Sequence, residues 1–137
     1  MVIMAVDLGD SRTGIAVSDA GESFAFPREV ICERSRERLV LAIATAAKKE
    51  KASCIVVGHP RNMDGSIGPK AQEYAALAER VAAAANLPVE LWDERSTTVM
   101  AHARMNEQNI RGKQRRAVLD SEAAVILLEG FLAGKKG

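Results

Sequence analysis

The chain has 137 residues, of which 47% are hydrophobic, which is enough for one domain, 1–137, with a substantial core. The formal net charge of +1 excludes a protein that attracts nucleic acid through its overall charge, but it permits a local basic patch. There is no apolar run of membrane-spanning length and no basic leader, so the sequence predicts a cytoplasmic protein with two reduced thiols, Cys32 and Cys54.

The first part of the chain predicts an antiparallel meander. An apolar strand runs from Val2 to Leu8 and a second strand covers 13–18. A turn containing Gly9 separates these strands. A short third strand is predicted around 28–32.

The next elements alternate between helix and strand. Ser35 is predicted to cap a helix that runs to about Lys49, and a buried strand covers 53–58. Pro69 is predicted to open a second helix, which stops at Asn86-Leu87-Pro88. A last strand covers 88–93.

The remaining residues predict two further helices, separated by a polar, basic loop. The first covers 96–106, the loop covers 107–117, and the final helix runs from near Asp120 to Gly134. The fold class is therefore α/β, with a mixed five-stranded sheet that is antiparallel at the start and parallel later.

Acidic residues stand at the ends of three predicted elements. Asp7 ends the first strand, Asp93 and Glu94 end the last strand, and Asp120 opens the final helix on its apolar face. Carboxylates gathered from separate elements repel one another unless a cation joins them, and hard ions such as Mg²⁺ or Mn²⁺ prefer oxygen ligands. Together the three positions predict a metal site that supports phosphodiester cleavage.

Each acid also has a structural interpretation. Asp7 precedes a turn and suits turn chemistry, while Asp120 suits a helix N-cap. Asp93 or Glu94 can form a surface ion pair with Arg95. Only the combination of the three positions favours a metal site.

Two segments are candidate phosphate contacts near these acids. Arg12 follows the Gly9 turn, where it can bind phosphate or remain a solvated turn residue. The loop 59–66 follows a buried strand, and its Arg61 and Asn62 can bond phosphate or sugar. The alternative for this loop is a well-made turn that pivots on Asp64-Gly65.

A basic cluster lies just before Asp120. It contains Arg111, Lys113, Arg115 and Arg116, and its charge suits the backbone of a polyanion. The alternative is an ordinary solvated loop. Aromatic residues make up only 4% of the chain, which argues against extensive base stacking.

Four stretches in order resemble the YqgF family across nearly the whole chain. They are residues 6–9 (VDLG) with 12–19 (RTGIAVSD), 57–66 (VGHPRNMDGS), 92–98 (WDERSTT) and 120–124 (DSEAA). This chain departs from the family at Ser11, where a lysine is common, and at His59, where an apolar residue is common.

The resemblance implies a ribonuclease H-like fold and a metal-dependent nuclease. The expected substrate is the 5′ end of precursor 16S ribosomal RNA, with branched DNA such as a Holliday junction as the alternative. The resemblance makes Asp7, Glu94 and Asp120 the catalytic metal ligands, and holds Asp93 in reserve for Glu94. Residues that would then hold the nucleic acid are Arg12, Arg61, Asn62, Arg95, Arg111, Lys113, Arg115 and Arg116.

Two other functions remain open at this point. A non-catalytic ribosome-assembly or nucleic-acid-binding module would need the basic segment but not the acids. An ATP-binding phosphotransferase is a second rival, because Asp-x-Gly followed by Thr-Gly resembles the phosphate loop of the sugar-kinase and actin superfamily. The sequence leaves the choice between monomer and homodimer open.

Overall fold

The computed structural model describes residues 1–60, 62, 64–93 and 112–136, with the backbone alone described for 112–121 and 135–136. The strands are β1 (Ile3–Asp7), β2 (Arg12–Ser18), β3 (Ala25–Pro27), β4 (Ile31–Cys32), β5 (Cys54–His59) and β6 (Val89–Asp93). The helices are α1 (Arg36–Lys49), α2 (Pro69–Ala85) and α3 (Gly112–Lys136). In the described part of the chain, no helix is both long enough and apolar enough to cross a bilayer.

The strands form one mixed sheet in the order β3-β2-β1-β5-β6, with β4 pairing beside β2. β2 is antiparallel to β1, whereas β5 runs parallel to β1 and β6 runs parallel to β5. This confirms the predicted α/β class and the change from antiparallel to parallel pairing. The structure has six strands instead of five, because β3 and β4 occupy the region where one third strand was predicted.

Helices cover both faces of this sheet, so the central strand β1 is apolar from Ile3 to Val6. Met4 and Val6 point into a core formed with α1 and α2. Ile3 and Ala5 point into a second core formed with α3. Alternate residues of β1 therefore belong to different layers, as the strand's two-residue period requires.

Both predicted helix starts are confirmed by their capping geometry. The Ser35 hydroxyl accepts a hydrogen bond from the Arg38 amide at 3.4 Å, one turn into α1. Pro69 opens α2, where its missing N–H costs no hydrogen bond. The left-handed conformation of Asn86 (φ 56°, ψ 44°) ends α2 where the sequence predicted.

The predicted third strand, 28–32, was wrong in its bounds, because the chain pairs with β2 in two pieces. Pro27 lies opposite Ala16 and Ile31 lies opposite Thr13. Four steps on one strand thus match three on the other, and the extra residue bulges out between β3 and β4. The strand residues actually lie at Ala25–Pro27 and Ile31–Cys32.

The predicted loop 107–117 and the predicted helix start near Asp120 also need correction. α3 already begins at Gly112, so Asp120 lies inside a helix and is not its N-cap. The segment 113–119 consists largely of good helix formers, and its positive charges do not prevent helix formation. The predicted helix 96–106 and residues 107–111 lie outside the described residues.

The last turns of α3 pack against Trp92 on β6. The indole packs edge-to-face on Phe131, with ring centroids 5.7 Å apart. A Cβ at Gly134 would lie 3.0 Å from the indole, so glycine leaves room for the ring there, whereas a Cβ at Gly130 would lie at an ordinary contact distance of 3.4 Å. Gly134 does not end the helix as predicted, since α3 continues to Lys136.

Candidate active site at the carboxyl edge of the sheet

The three parallel strands end at one edge of the sheet, and each ends in a polar residue. These residues are Asp7 on β1, His59 on β5 and Asp93 on β6. Val6 pairs with Val57, and His59 pairs with Asp93, so the three strand ends lie within a few residues of one level. Such an edge is the usual position of a site in an α/β sheet.

Asp7 lies on the face of the sheet that α3 covers. It shares the two-residue period of Ile3 and Ala5, both of which pack into the α3 core. Its partner across the β1–β2 ladder is Gly14, which places no side chain beside it. The carboxylate is half-buried, so it has lost some hydration and yet can still be reached from the edge.

Asp120 belongs to the helix that covers this same face. Its backbone lies inside α3, one turn before Ala124. Ala124 is fully buried in the core that also contains Ala5. The side chain of Asp120 lies outside the described part of the structure.

Asp93 lies on the opposite face from Asp7. Trp92 packs against α3, whereas Val89 and Leu91 line a cleft beside α2. Alternation along β6 therefore directs Asp93 towards α2. Glu94, the ligand predicted in preference to Asp93, lies outside the described residues.

The turn between β1 and β2 follows Asp7 directly and depends on Gly9. A Cβ at Gly9 would collide with the backbone carbonyl oxygen of Arg12, so only glycine fits this turn without movement. The Gly9 amide donates to the Thr13 hydroxyl at 3.4 Å. Arg12 is half-buried at the start of β2, two residues before Gly14, the partner of Asp7.

The loop after β5 is ordered by its own side chains. The Asn62 side-chain amide donates to the Ser66 hydroxyl at 2.9 Å, and Ser66 in turn donates to Asp64 at 2.6 Å. Gly65 adopts φ 88°, which glycine tolerates best. These bonds agree with the well-made turn considered above. Arg61 lies outside the described residues.

His59 anchors the start of this loop to α2. The imidazole is buried, and its Nε2 lies 3.1 Å from the carbonyl oxygen of Ala71, within hydrogen-bonding distance. This contact joins the end of β5 to α2.

The predicted basic segment is helical where it is described. Lys113, Arg115 and Arg116 lie in the first turns of α3, with their side chains outside the description. Arg95 and Arg111 lie outside the described residues altogether. Among the residues with described side chains, no three of His, Cys, Asp or Glu are grouped to hold a metal. Asp7 is the one predicted ligand that this part of the chain includes.

The family is decided by comparison over almost the whole chain. The family model RuvX, described as Holliday junction resolvase, matches residues 1–134. The chain belongs to the RuvX family. RuvX and YqgF designate the same family, so the resemblance seen in the motifs is confirmed.

Curated RuvX relatives match the chain closely. A protein of Pelotomaculum thermopropionicum is 44% identical over 133 residues, covering 96% of this chain and 86% of the relative. A protein of Anaeromyxobacter sp. is 39% identical and covers 98% of both chains. Both carry the name "Putative pre-16S rRNA nuclease".

Solved structures place this RuvX chain in the RuvC-like ribonuclease H fold. RuvC of Thermus thermophilus, in complex with a Holliday junction substrate, superposes with a TM-score of 0.61 at 15% identity, covering 99% of this chain and 96% of that one. A ROK hexokinase of the same organism gives a TM-score of 0.52 at 20% identity, but the match covers only 39% of the hexokinase. At these identities the likeness concerns the fold alone.

The structure also reveals residues near the site that the sequence analysis missed. Arg36 and Lys70 stand in the first turns of α1 and α2, and both reach the β1–β2 turn. Cations are disfavoured at a helix N-terminus, where the helix dipole is positive. Their unusual placement was therefore a signal in the sequence that something else holds them there.

The partner that holds them is Asp10. Hydrogen bonding and charge from Lys70 lower the pKa of the Asp10 carboxyl below its ordinary value, with a further contribution from the charge of Arg36. The carboxylate is exposed and remains ionised above its lowered pKa. It therefore joins the turn electrostatically to two helices.

Proposed function

We propose that this RuvX chain is a divalent-metal-dependent nuclease that hydrolyses phosphodiester bonds in structured nucleic acid. The leading substrate is the 5′ end of precursor 16S ribosomal RNA, as the names of its curated relatives suggest. A role in ribosomal RNA processing places the protein in the cytoplasm.

The observation that carries the proposal is the position of Asp7. This half-buried carboxylate ends a parallel strand on the face covered by α3, the helix that contains Asp120. Two acids distant in sequence thus belong to neighbouring elements on one side of the sheet. We propose Glu94 as the third ligand, because Asp93 is directed towards the other face.

The proposed ligand set fits Mg²⁺ or Mn²⁺. It consists of carboxylate oxygens, which hard divalent cations prefer over nitrogen or sulfur ligands. Bound divalent ions activate water and stabilise the leaving oxygen in phosphodiester hydrolysis. The role of Asp7, Glu94 and Asp120 is to hold the ions at a fixed position against the sheet.

Basic and polar residues around the edge would hold the flanking backbone. Arg12 lies directly after the turn that follows Asp7, and Asn62 lies in the loop after β5. We propose that Arg61, Arg95 and the segment 111–116 add phosphate contacts. Such contacts would position the nucleic acid without selecting its sequence.

The test is Mg²⁺-dependent cleavage of precursor 16S ribosomal RNA by the wild type and by Asp7→Asn and Asp120→Asn. Loss of a residue that only orients a metal ligand already costs about 10- to 100-fold, so each ligand variant should lose at least about 100-fold. Glu79→Gln is the matched control, since it removes an exposed carboxylate from α2 and should retain wild-type activity. Full activity in both ligand variants would reject the assigned roles.

The choice between the two acids at the end of β6 has its own comparison. Glu94→Gln should reduce cleavage as strongly as Asp7→Asn, whereas Asp93→Asn should retain most of the activity. The opposite order would make Asp93 the ligand.

Holliday junction resolution is the second candidate, and the description of the matching RuvX family model as Holliday junction resolvase favours it. The same enzyme preparations should be offered a four-way DNA junction and the RNA precursor in parallel. Symmetric cutting of the junction requires two active sites related by symmetry, so a resolvase would form a homodimer at working concentration. Cleavage of the RNA by a monomer, with the junction left uncut, would exclude resolution of junctions.

Two other functions are separated by simple measurements. A non-catalytic assembly module would retain its cellular role with Asp7→Ala. An ATP-binding phosphotransferase would bind ATP, but those enzymes close two related domains over the nucleotide. The match to 39% of the hexokinase corresponds to part of such an enzyme.

A further inference from the structure

Two helix N-termini converge on the short turn that follows Asp7. The Arg36 guanidinium, at the start of α1, donates from Nη1 to the carbonyl oxygen of Gly9 at 2.9 Å. Its Nη2 lies 3.6 Å from Asp10 Oδ1. Lys70, in the first turn of α2, contacts the same carboxylate with Nζ at 2.8 Å from Oδ1.

Glu73 fixes the orientation of the arginine in this cluster. Its Oε1 lies 2.7 Å from Arg36 Nη2, the shortest of the ion pairs here. Arg36 is the most enclosed member of the group, with 24% of its side chain exposed compared with 74% for Asp10. A planar guanidinium held from two sides presents its remaining N–H groups in a defined direction. Arg36 therefore joins the turn, α1 and α2 at one point.

Global stability does not explain this cluster well. Exposed ion pairs contribute little to the free energy of unfolding, and salt screens them. Both cations of the cluster, Arg36 and Lys70, also lie at helix N-termini, where the helix dipole disfavours positive charge. What the cluster does achieve is to hold a backbone carbonyl and a side chain of the same short turn.

The position of that turn sets the position of the proposed catalytic residues. Only residues 8–11 join β1 to β2, so a displacement of Gly9 or Asp10 moves Asp7 on one side and Arg12 on the other. A further hydrogen bond holds the end of the turn, since the Glu33 amide donates to the Ser11 carbonyl oxygen at 3.0 Å.

We propose that Arg36, Glu73, Asp10 and Lys70 form a turn latch that positions Asp7 and Arg12 for catalysis. The proposal rests on the proposed nuclease function, because Asp7 is assigned there as a metal ligand. Arg36 is a positioning residue in this scheme and does not touch the substrate.

The test compares Arg36→Gln with Arg28→Gln in the full-length protein. Arg28 is the matched control, because it forms an Arg–Glu pair with Glu50 at 3.1 Å near the other end of α1. Cleavage kinetics are measured at saturating Mg²⁺, and amide hydrogen exchange by NMR is followed at Gly9 and Glu33. Thermal unfolding of both variants shows that each is folded at the assay temperature.

The latch predicts separate effects for the two variants. Arg36→Gln should lower kcat by about 10- to 100-fold with KM changed less than about 3-fold, because misplacement of a reacting group by about 1 Å has effects of this size. Exchange at Gly9 and Glu33 should accelerate at least about 5-fold, as expected when local opening becomes easier. Arg28→Gln should leave kcat and both exchange rates within about 2-fold of the wild type. Arg36→Lys should retain only part of the wild-type kcat, because an ammonium cannot reproduce the fork of contacts that a guanidinium makes.

The outcomes distinguish this inference from the nuclease proposal. Exchange rates unchanged in Arg36→Gln would overturn the latch, whatever the activity. An equal loss of kcat in Arg28→Gln would also overturn it, since the effect would then be general destabilisation. A wild type that cleaves neither nucleic acid would reject the nuclease proposal, and faster exchange in Arg36→Gln would still establish that the latch orders the turn.

Discussion

Gly9 is the position where a single added methyl group should most directly affect both stability and activity. In Gly9→Ala the new Cβ would collide with the carbonyl oxygen of Arg12. That atom belongs to the backbone and cannot rotate away, so the turn itself must shift. We expect a displacement on the order of 1 Å, because overpacking of this kind is relieved by backbone movement.

The displacement should affect two measurable quantities. Overpacking typically lowers the free energy of unfolding by about 1–3 kcal/mol. If Asp7 moves with the turn, kcat should fall by about 100-fold, which corresponds to about 2.7 kcal/mol in the activation barrier. The assays are urea unfolding and Mg²⁺-dependent cleavage below the unfolding transition.

Gly21→Ala is the matched control for this substitution. Its Cβ would lie 3.2 Å from Oδ2 of Asp19, and a shift of that oxygen by a few tenths of an ångström relieves the contact while Oδ1 keeps its hydrogen bonds from the Ser23 and Phe24 amides. We expect stability within about 0.5 kcal/mol of the wild type and unchanged kcat. Wild-type stability and kcat in Gly9→Ala would refute the reasoning about the turn.

Three further predictions concern acid stability, helix packing and phosphate binding. The backbone amides of Phe24 and Ser23 donate to the Asp19 carboxylate and lower its pKa below the ordinary value of 3.8. The carboxylate therefore stabilises the folded protein fully above that ordinary value, and this stabilisation is lost as the pH falls through the lowered pKa. Asp19→Asn should therefore lower the free energy of unfolding at pH 7 and make it less dependent on pH below about 4, as measured by urea unfolding. An unchanged dependence on pH in that range would contradict this. Gly130→Ala should stabilise the protein by about 0.5–1 kcal/mol, because alanine has the higher helix propensity. Gly134→Ala should stabilise it less, because the new Cβ would lie 3.0 Å from Trp92. Equal gains for both variants in guanidinium unfolding would show that the indole moves freely. Arg12→Gln should lower the slope of log affinity against log salt by about 1 for an uncleaved nucleic acid in Ca²⁺, and an unchanged slope would remove Arg12 from the phosphate contacts.

Local signals in the sequence determined most of the described elements. Ser35, Pro69 and Asn86 mark helix ends through backbone hydrogen bonding and dihedral preference, which depend only on near neighbours. The apolar run from Ile3 to Val6 in β1 likewise indicated that both faces of the sheet are covered, so Asp7 after it was identifiable as a carboxylate at the end of a buried strand.

Interactions between distant segments decided what the sequence left open. The bulge between β3 and β4 depends on the register with β2, and the room that Gly134 leaves for Trp92 matters only because β6 packs against α3. The direction of Asp93 followed from which neighbours of β6 pack on α2.

The convergence of Arg36 and Lys70 on Asp10 could be found only in three dimensions. These residues are separated by up to 60 positions in the chain, and no local pattern specifies which carboxylate a cation will meet. The sequence by itself determined most of the helices and strands and the position of Asp7 at the end of β1, since these depend on hydrophobic period and capping. Tertiary packing alone decided which side chains hold the turn beside that acid, because only the folded sheet brings two helix N-termini to the same edge.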